Sequence, residues 1–186
     1  RIQRIEPFDT AQSHYGLAVD VGTTTVVAQL LDLNTGDVLD VEGCHNKQAS
    51  FGEDVISRVI FACGKGGLDP VQQAVVKNIN TLIAKLVKKR GISREKIDVI
   101  VAAGNTTMSH LLLGLTPCSI RLDPYVPTTD EFPQIRASEI GIHINPRGIL
   151  EVMPCVASYV GGDIVAGVLA SGISEHEAVK CLIDIG

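Results

Sequence analysis

Residues Tyr15 to Leu33 read YGLAVDVGTTTVVAQLLDL, two apolar runs rich in β-branched residues with Asp20, Gly22 and the run Thr23, Thr24, Thr25 set between them. GLAVDV and TVVAQLLDL have the length and composition of strands, and Gly22 is where a tight reversal belongs. NTGDV (Asn34 to Val38) is a strong hairpin turn and leads to a third run, VLDVEG. The pattern predicts a three-stranded antiparallel meander.

Outward from this meander the period changes. After the polar HNKQASFGED, Glu53 and Asp54 suit a first helical turn, with apolar spacing through Val55, Ile56, Val59 and Ile60 and a stop at GKGG. A longer helix starts at Pro70, in the favoured first-turn position. It places Val71, Val75, Ile79, Leu82, Ile83 and Leu86 on one face and ends at KKRG. KIDVIVAAG reads as a buried strand, and NTTMSHLLLG as a short helix capped by Asn105 or Thr106, with capping favoured for Thr106. Leu115 to Arg147 is proline-rich and irregular. GILEVMP resumes a strand, GGDIVAGVLASG is a helix with Asp163 near its start, and VKCLIDI is a final strand. A meander followed by strands reached through helices gives an α/β fold: a mixed sheet with parallel additions and helices on both faces. This is the ribonuclease-H-like layout, shared by nucleases, sugar kinases and actin-like ATPases, so the site must name the function.

Composition narrows the classes. A chain of 186 residues with a net charge of −5 offers no basic footprint for nucleic acid or for an anionic membrane. Mean hydropathy is +0.24, yet no apolar run approaches the roughly 18 residues of a spanning helix. No secretory leader is evident, and the expected location is the cytoplasm. Cys44, Cys63, Cys118, Cys155 and Cys181 are scattered without C-x-x-C spacing, which predicts reduced, buried thiols and no zinc site.

At the first strand end, Asp20 fits a carboxylate that orients the waters of Mg²⁺, while Gly22 to Thr25 present hydroxyls and consecutive N–H donors to phosphate. A plain hairpin in which Asp20 accepts turn hydrogen bonds is the competing reading. LIDIG repeats the apolar-Asp-apolar-Gly string and would bring Asp184 and Gly186 to the same phosphates, with Asp184 as a second water-mediated Mg²⁺ ligand; chance recurrence of so short a string competes with this. Asn105, Gly162 and Asp163 stand where a strand or loop hands over to a helix, where N–H groups meet anions, and where capping is equally at home. CGKGG lacks the flanking residues of a P-loop, and no G-x-G-x-x-G or G-x-S-x-G occurs.

LAVDVGTTT, VMPCVASYVGGDIVAG and LIDIG resemble the first phosphate motif, the connecting segment and the start of the second phosphate motif of the actin-like ATPase superfamily, which includes acetate and sugar kinases and heat-shock chaperones. GLAVDVGTTTVVAQLLDLNTG, NKQASFGEDVISRV and AAGNTTMSHLLLG more narrowly resemble the ATPase region of the reductive activators of corrinoid proteins. The resemblance implies ATP and Mg²⁺ as ligands and a corrinoid protein as partner, returned from cobalt(II) to cobalt(I). It also implies an iron–sulfur cluster in a domain outside this chain, and it allows a homodimer of the intact protein. On it, residues 1–14 are a linker or the end of a preceding domain, and residues 15–186 are the first of two lobes. The second lobe is expected beyond residue 186. Met153 stands where relatives carry a polar water-positioning residue, leaving Glu151 and Asp163 as candidates for that role. A small-molecule kinase and a nucleotide-dependent module that does not hydrolyse remain as alternatives.

Overall fold

The computed structural model describes residues 13–65, 67–175, 177 and 179–184. β1 (Tyr15–Val21), β2 (Thr25–Asp32) and β3 (Val38–His45) form the antiparallel meander. β4 (Ile97–Ala103) joins β1 in parallel, β6 (Ile149–Val152) joins β4 in parallel, and the two-residue β5 (Ile135–Arg136) runs antiparallel on the edge. The order across the sheet is β3-β2-β1-β4-β6-β5. This is the ribonuclease-H-like order that the element sequence predicts.

Strand alternation decides which face is dry. Leu17, Val19, Val21, Val26, Ala28, Leu30, Ile100, Ala102, Leu150 and Val152 point into the core. Ala18, Asp20, Gln29, Val101 and Glu151 lie on the other face and reach solvent. The core face is covered by α1 (Val55–Cys63), α2 (Asp69–Arg90) and α3 (Thr106–Leu113), and α4 (Gly162–Ser171) packs against β4. On α2, all six residues of the predicted apolar face are buried, and Gly91 closes the helix at φ 67°. Its Lys89 reaches across to Asp40 (2.8 Å) and Glu42 (3.5 Å) on β3, which raises the lysine's pKa and lowers that of Asp40. No helix among the described residues is long and apolar enough to cross a membrane.

Four expectations are corrected. In α1, Ile56 and Ile60 are exposed, Glu53 precedes the helix, and Asp54 is its cap in a reciprocal pair with Ser57. The buried face instead takes Arg58, whose Nε donates to the Gly52 carbonyl (2.8 Å) and whose guanidinium reaches Met108 Sδ (3.4 Å). Burial lowers its pKa, against the field of Asp54. Cys63 and Cys118 are joined in a disulfide rather than reduced, because α1 ends against the short turn Cys118–Arg121, 55 residues on, with the two Cα atoms 5.7 Å apart. Of the free cysteines, Cys155 is buried and Cys181 is exposed. Thr106 is not the cap of α3, since its hydroxyl donates to the Ala157 carbonyl (2.6 Å); Asn105 caps instead. Val179 to Asp184 form no strand, because a strand needs a ladder and this segment pairs with none among the described residues, leaving Val179, Leu182 and Ile183 exposed. Gly186 lies outside the described residues.

A candidate phosphate site at the carboxyl ends of the strands

Asp20 is opposite Val27 on β2 and Ala103 on β4, at the carboxyl ends of two parallel strands. Open α/β sheets bind ligands at that end. The turn that follows is too tight for a side chain: a Cβ on Gly22 would stand 2.5 Å from the Thr25 carbonyl oxygen. It is held from below by the fully buried Asn46, whose Nδ2 donates to the Gly22 carbonyl (2.8 Å) and whose backbone N–H donates to the Thr24 carbonyl (2.8 Å). Asn46 in turn accepts from the Gln48 N–H (2.9 Å), and the Gln48 side chain donates to the Val71 carbonyl on α2 (3.1 Å). The hairpin is thereby tied to the longest helix. Sequence reasoning passed over Asn46 and Gln48 as a polar connector; two amides flanking a strand end were the available signal.

Two further loops close on this hairpin. Asn105 accepts from the Met108 N–H (3.0 Å), capping α3, and its Nδ2 donates to Thr23 Oγ1 (3.1 Å). Asn105 thus both caps α3 and braces the hairpin through Thr23. The start of α4 packs against the same loop: a Cβ on Gly161 would lie 2.4 Å from Asn105 Cα, and one on Gly162 2.8 Å from the Met153 carbonyl oxygen. The Asp163 N–H donates to the Gly104 carbonyl (3.3 Å), and its carboxylate accepts from the Ile164 N–H (2.8 Å). Asp163 stands in the first turn of α4, where the helix N-terminus favours negative charge.

The pKa of Asp20 is raised, first by partial loss of hydration among these loops, then by the negative charges of Asp163 and Asp184. The three carboxylates thus share one electrostatic neighbourhood. Among the described residues no three His, Cys, Asp or Glu side chains close into a direct metal cage. Thr23 is half-buried on Asn105, while Thr24 and Thr25 are open to solvent. Glu151 stands in register with Val101, and Val101 with Ala18, so it shares the face of Asp20 two strands away; its carboxylate accepts from Gln134 Nε2 (3.1 Å). Behind the cleft, Cys155 is a buried thiol whose pKa burial raises, so it stays protonated and is no nucleophile.

A family model described as the RACo middle region matches residues 15–176. The corrinoid activation enzyme RamQ of Eubacterium limosum is 34% identical over 174 residues, which are 92% of this chain and 29% of that protein. A solved structure of a reductive activator for corrinoid, iron-sulfur protein superposes with a TM-score of 0.88 at 48% identity, over 91% of this chain and 27% of the other. The chain spans less than a third of either relative.

Proposed function

The chain belongs to the RACo middle region family, and from that premise we propose that it is the ATP-binding first lobe of an ATPase that drives reductive reactivation of a corrinoid protein from cobalt(II) to cobalt(I). The observation that carries the reading is the place of Asp20 at the carboxyl ends of β1 and β4, where the Gly22 turn, the Asn105 cap and the start of α4 close on one another and the negative charges of Asp163 and Asp184 act on Asp20. Mg²⁺, when bound with ATP, supplies the positive charge that such a cluster calls for. Asp20 orients its waters, with Asp184 as a second water-mediated contact. The N–H groups and hydroxyls of Gly22 to Thr25 receive the β- and γ-phosphates, and Asn105 holds Thr23 in place for them. Gly162, Asp163 and Asn105 form the facing wall.

In this reading residues 1–14 lead in from another part of the intact protein, residues 15–186 are the first lobe, and Asp184 and Gly186 open the second phosphate clasp. The iron–sulfur cluster and its electron belong elsewhere in the intact protein, in keeping with relatives more than three times as long. ATP-linked closure of the cleft would change how the corrinoid protein docks.

Calorimetric titration of the intact protein with Mg·ATP tests this. Asp20→Ala should weaken binding at least tenfold, about 1.4 kcal/mol, with a melting temperature in the absence of Mg²⁺ no lower than that of the parent. Equal affinity would refute the role of Asp20. Phosphate transfer to a small acceptor, independent of any corrinoid protein, would favour a kinase instead.

A further inference from the structure

The outer side of α2 carries a second built surface. Three depressions, of about 340 to 630 Å³, share His143: two lie along the outer side of α2, and the third continues past Arg94 and Glu95 to Ile144 and Pro146. Lining residues on α2 extend from Gln73 to Val87. At about 1.5 Å per helical residue that is a groove of roughly 20 Å, the span of about six residues of extended chain. Val76 and Ile83 give it a buried apolar floor.

The far wall is fixed by side chains. Asn80 Nδ2 donates to the Gly141 carbonyl (2.8 Å) while its Oδ1 accepts from the His143 N–H (2.8 Å). Asn145 Nδ2 donates to the Glu95 carbonyl (2.8 Å) and holds the closing end beside Arg94. A groove already shaped costs its occupant little ordering of the host.

Its charge opposes that of the molecule. In a chain of net charge −5, six of the sixteen Lys and Arg residues lie between Lys85 and Lys96, against the single Glu95. Lys77 and Arg94 line the groove, and Lys88 follows Lys77, Thr81 and Ala84 on the same helical face. Cations in the last turn of α2 also complement the helix dipole, and Lys89 is held by Asp40 and Glu42. That accounts for Lys88, Lys89 and Arg90 but not for Lys77 or Arg94, neither of which is in an ion pair among the described residues.

We propose that this groove docks an acidic, extended segment of a partner protein, with alternate apolar side chains on the Val76 and Ile83 floor and carboxylates toward Lys77, Lys88 and Arg94. The inference rests on residues that the nucleotide reading does not use.

Fluorescence anisotropy on the intact protein provides the test, with dye-labelled ten-residue peptides of alternating Asp and Leu or alternating Lys and Leu as probes. The acidic peptide should bind at least tenfold tighter than the basic one, with affinity falling as salt rises. Lys77→Glu with Arg94→Glu should reverse the preference and leave Mg·ATP binding unchanged. Equal binding of the two peptides, or a preference untouched by the reversal, overturns the proposal. So does an intact protein that binds neither peptide, as when another of its own segments or a second copy covers the groove.

Discussion

The two ends of the sheet are both braced by amide side chains, Asn46 and Asn105 at one and Asn80 and Asn145 at the other, and differ in what surrounds the brace. At the Asp20 end, backbone meets backbone because Gly22, Gly161 and Gly162 carry no side chain, and the charge left in the gap is negative. At the Asn80 end, loops are held apart and in place by amide side chains, and the surrounding charge is positive. The first construction leaves N–H groups accessible to a ligand's own oxygen atoms. The second offers a ready surface whose shape does not depend on a ligand.

The sharpest way to break the glycine-built end is Gly161→Val. Its Cβ would sit 2.4 Å from Asn105 Cα, backbone with no freedom to yield. A loss of about 3 kcal/mol or more is expected in chemical denaturation, together with loss of nucleotide binding. At the amide-built end, Asn145→Ala removes bonds to the Glu95 carbonyl and Asp98 and one from the Arg147 N–H. A cost of about 2 kcal/mol is expected, with Mg·ATP affinity retained, so the two ends should fail separately.

Two pH effects of opposite sign are expected around the Asp20 end itself. His110, one turn into α3 from Asn105, is fully buried, donates from Nδ1–H to the Thr106 carbonyl (2.7 Å), and stands edge-on to Phe132. Its pKa is lowered from 6.5 by burial. The unfolded chain therefore takes up a proton that the folded chain refuses, and stability is lost as pH falls below 6.5 toward the folded value. The slope reaches at most about 1.4 kcal/mol per pH unit, and His110→Leu should flatten it in melts between pH 7 and 5. Asp20 has the opposite sign. Its raised pKa favours the folded state at low pH, and that contribution is lost as pH rises from 3.8 through the folded value. Asp20→Asn should therefore raise the melting temperature slightly at neutral pH in metal-free buffer, and should abolish the further rise that Mg·ATP gives the parent. A fall in melting temperature without Mg·ATP would show that the three carboxylates do not burden the fold.

The meander and α2 were legible because their signals are local: a turn at Asn34 to Gly36, and apolar residues at helical spacing from Val71 to Leu86. So was Asp20, placed at a strand end by alternation alone. What could not be read depends on contacts distant in sequence. Arg58 is buried rather than Ile56 or Ile60 because the Gly52 carbonyl and Met108 meet it there. Thr106 turns from capping to Ala157, 51 residues on, and Cys63 meets Cys118 only when α1 is in place. LIDIG has the composition of a strand, but pairing is a property of two segments, and Val179 to Asp184 lie without a ladder among the described residues.

The reach of Lys89 across to Asp40 and Glu42 also bears on how copies of this chain behave in concentrated solution. Among the described residues β3 is bonded to β2 along one side only, and Val38 and Val41 are exposed on it. Such a margin is a template for the strand of a neighbouring molecule. The clamp sets charged groups of both signs along that margin, so an incoming strand would have to strip their water before forming its first backbone bond. On the opposite margin β5 is two residues long and offers almost no template. One edge is thus guarded by hydration and the other by brevity, which protects against aggregation without burying either.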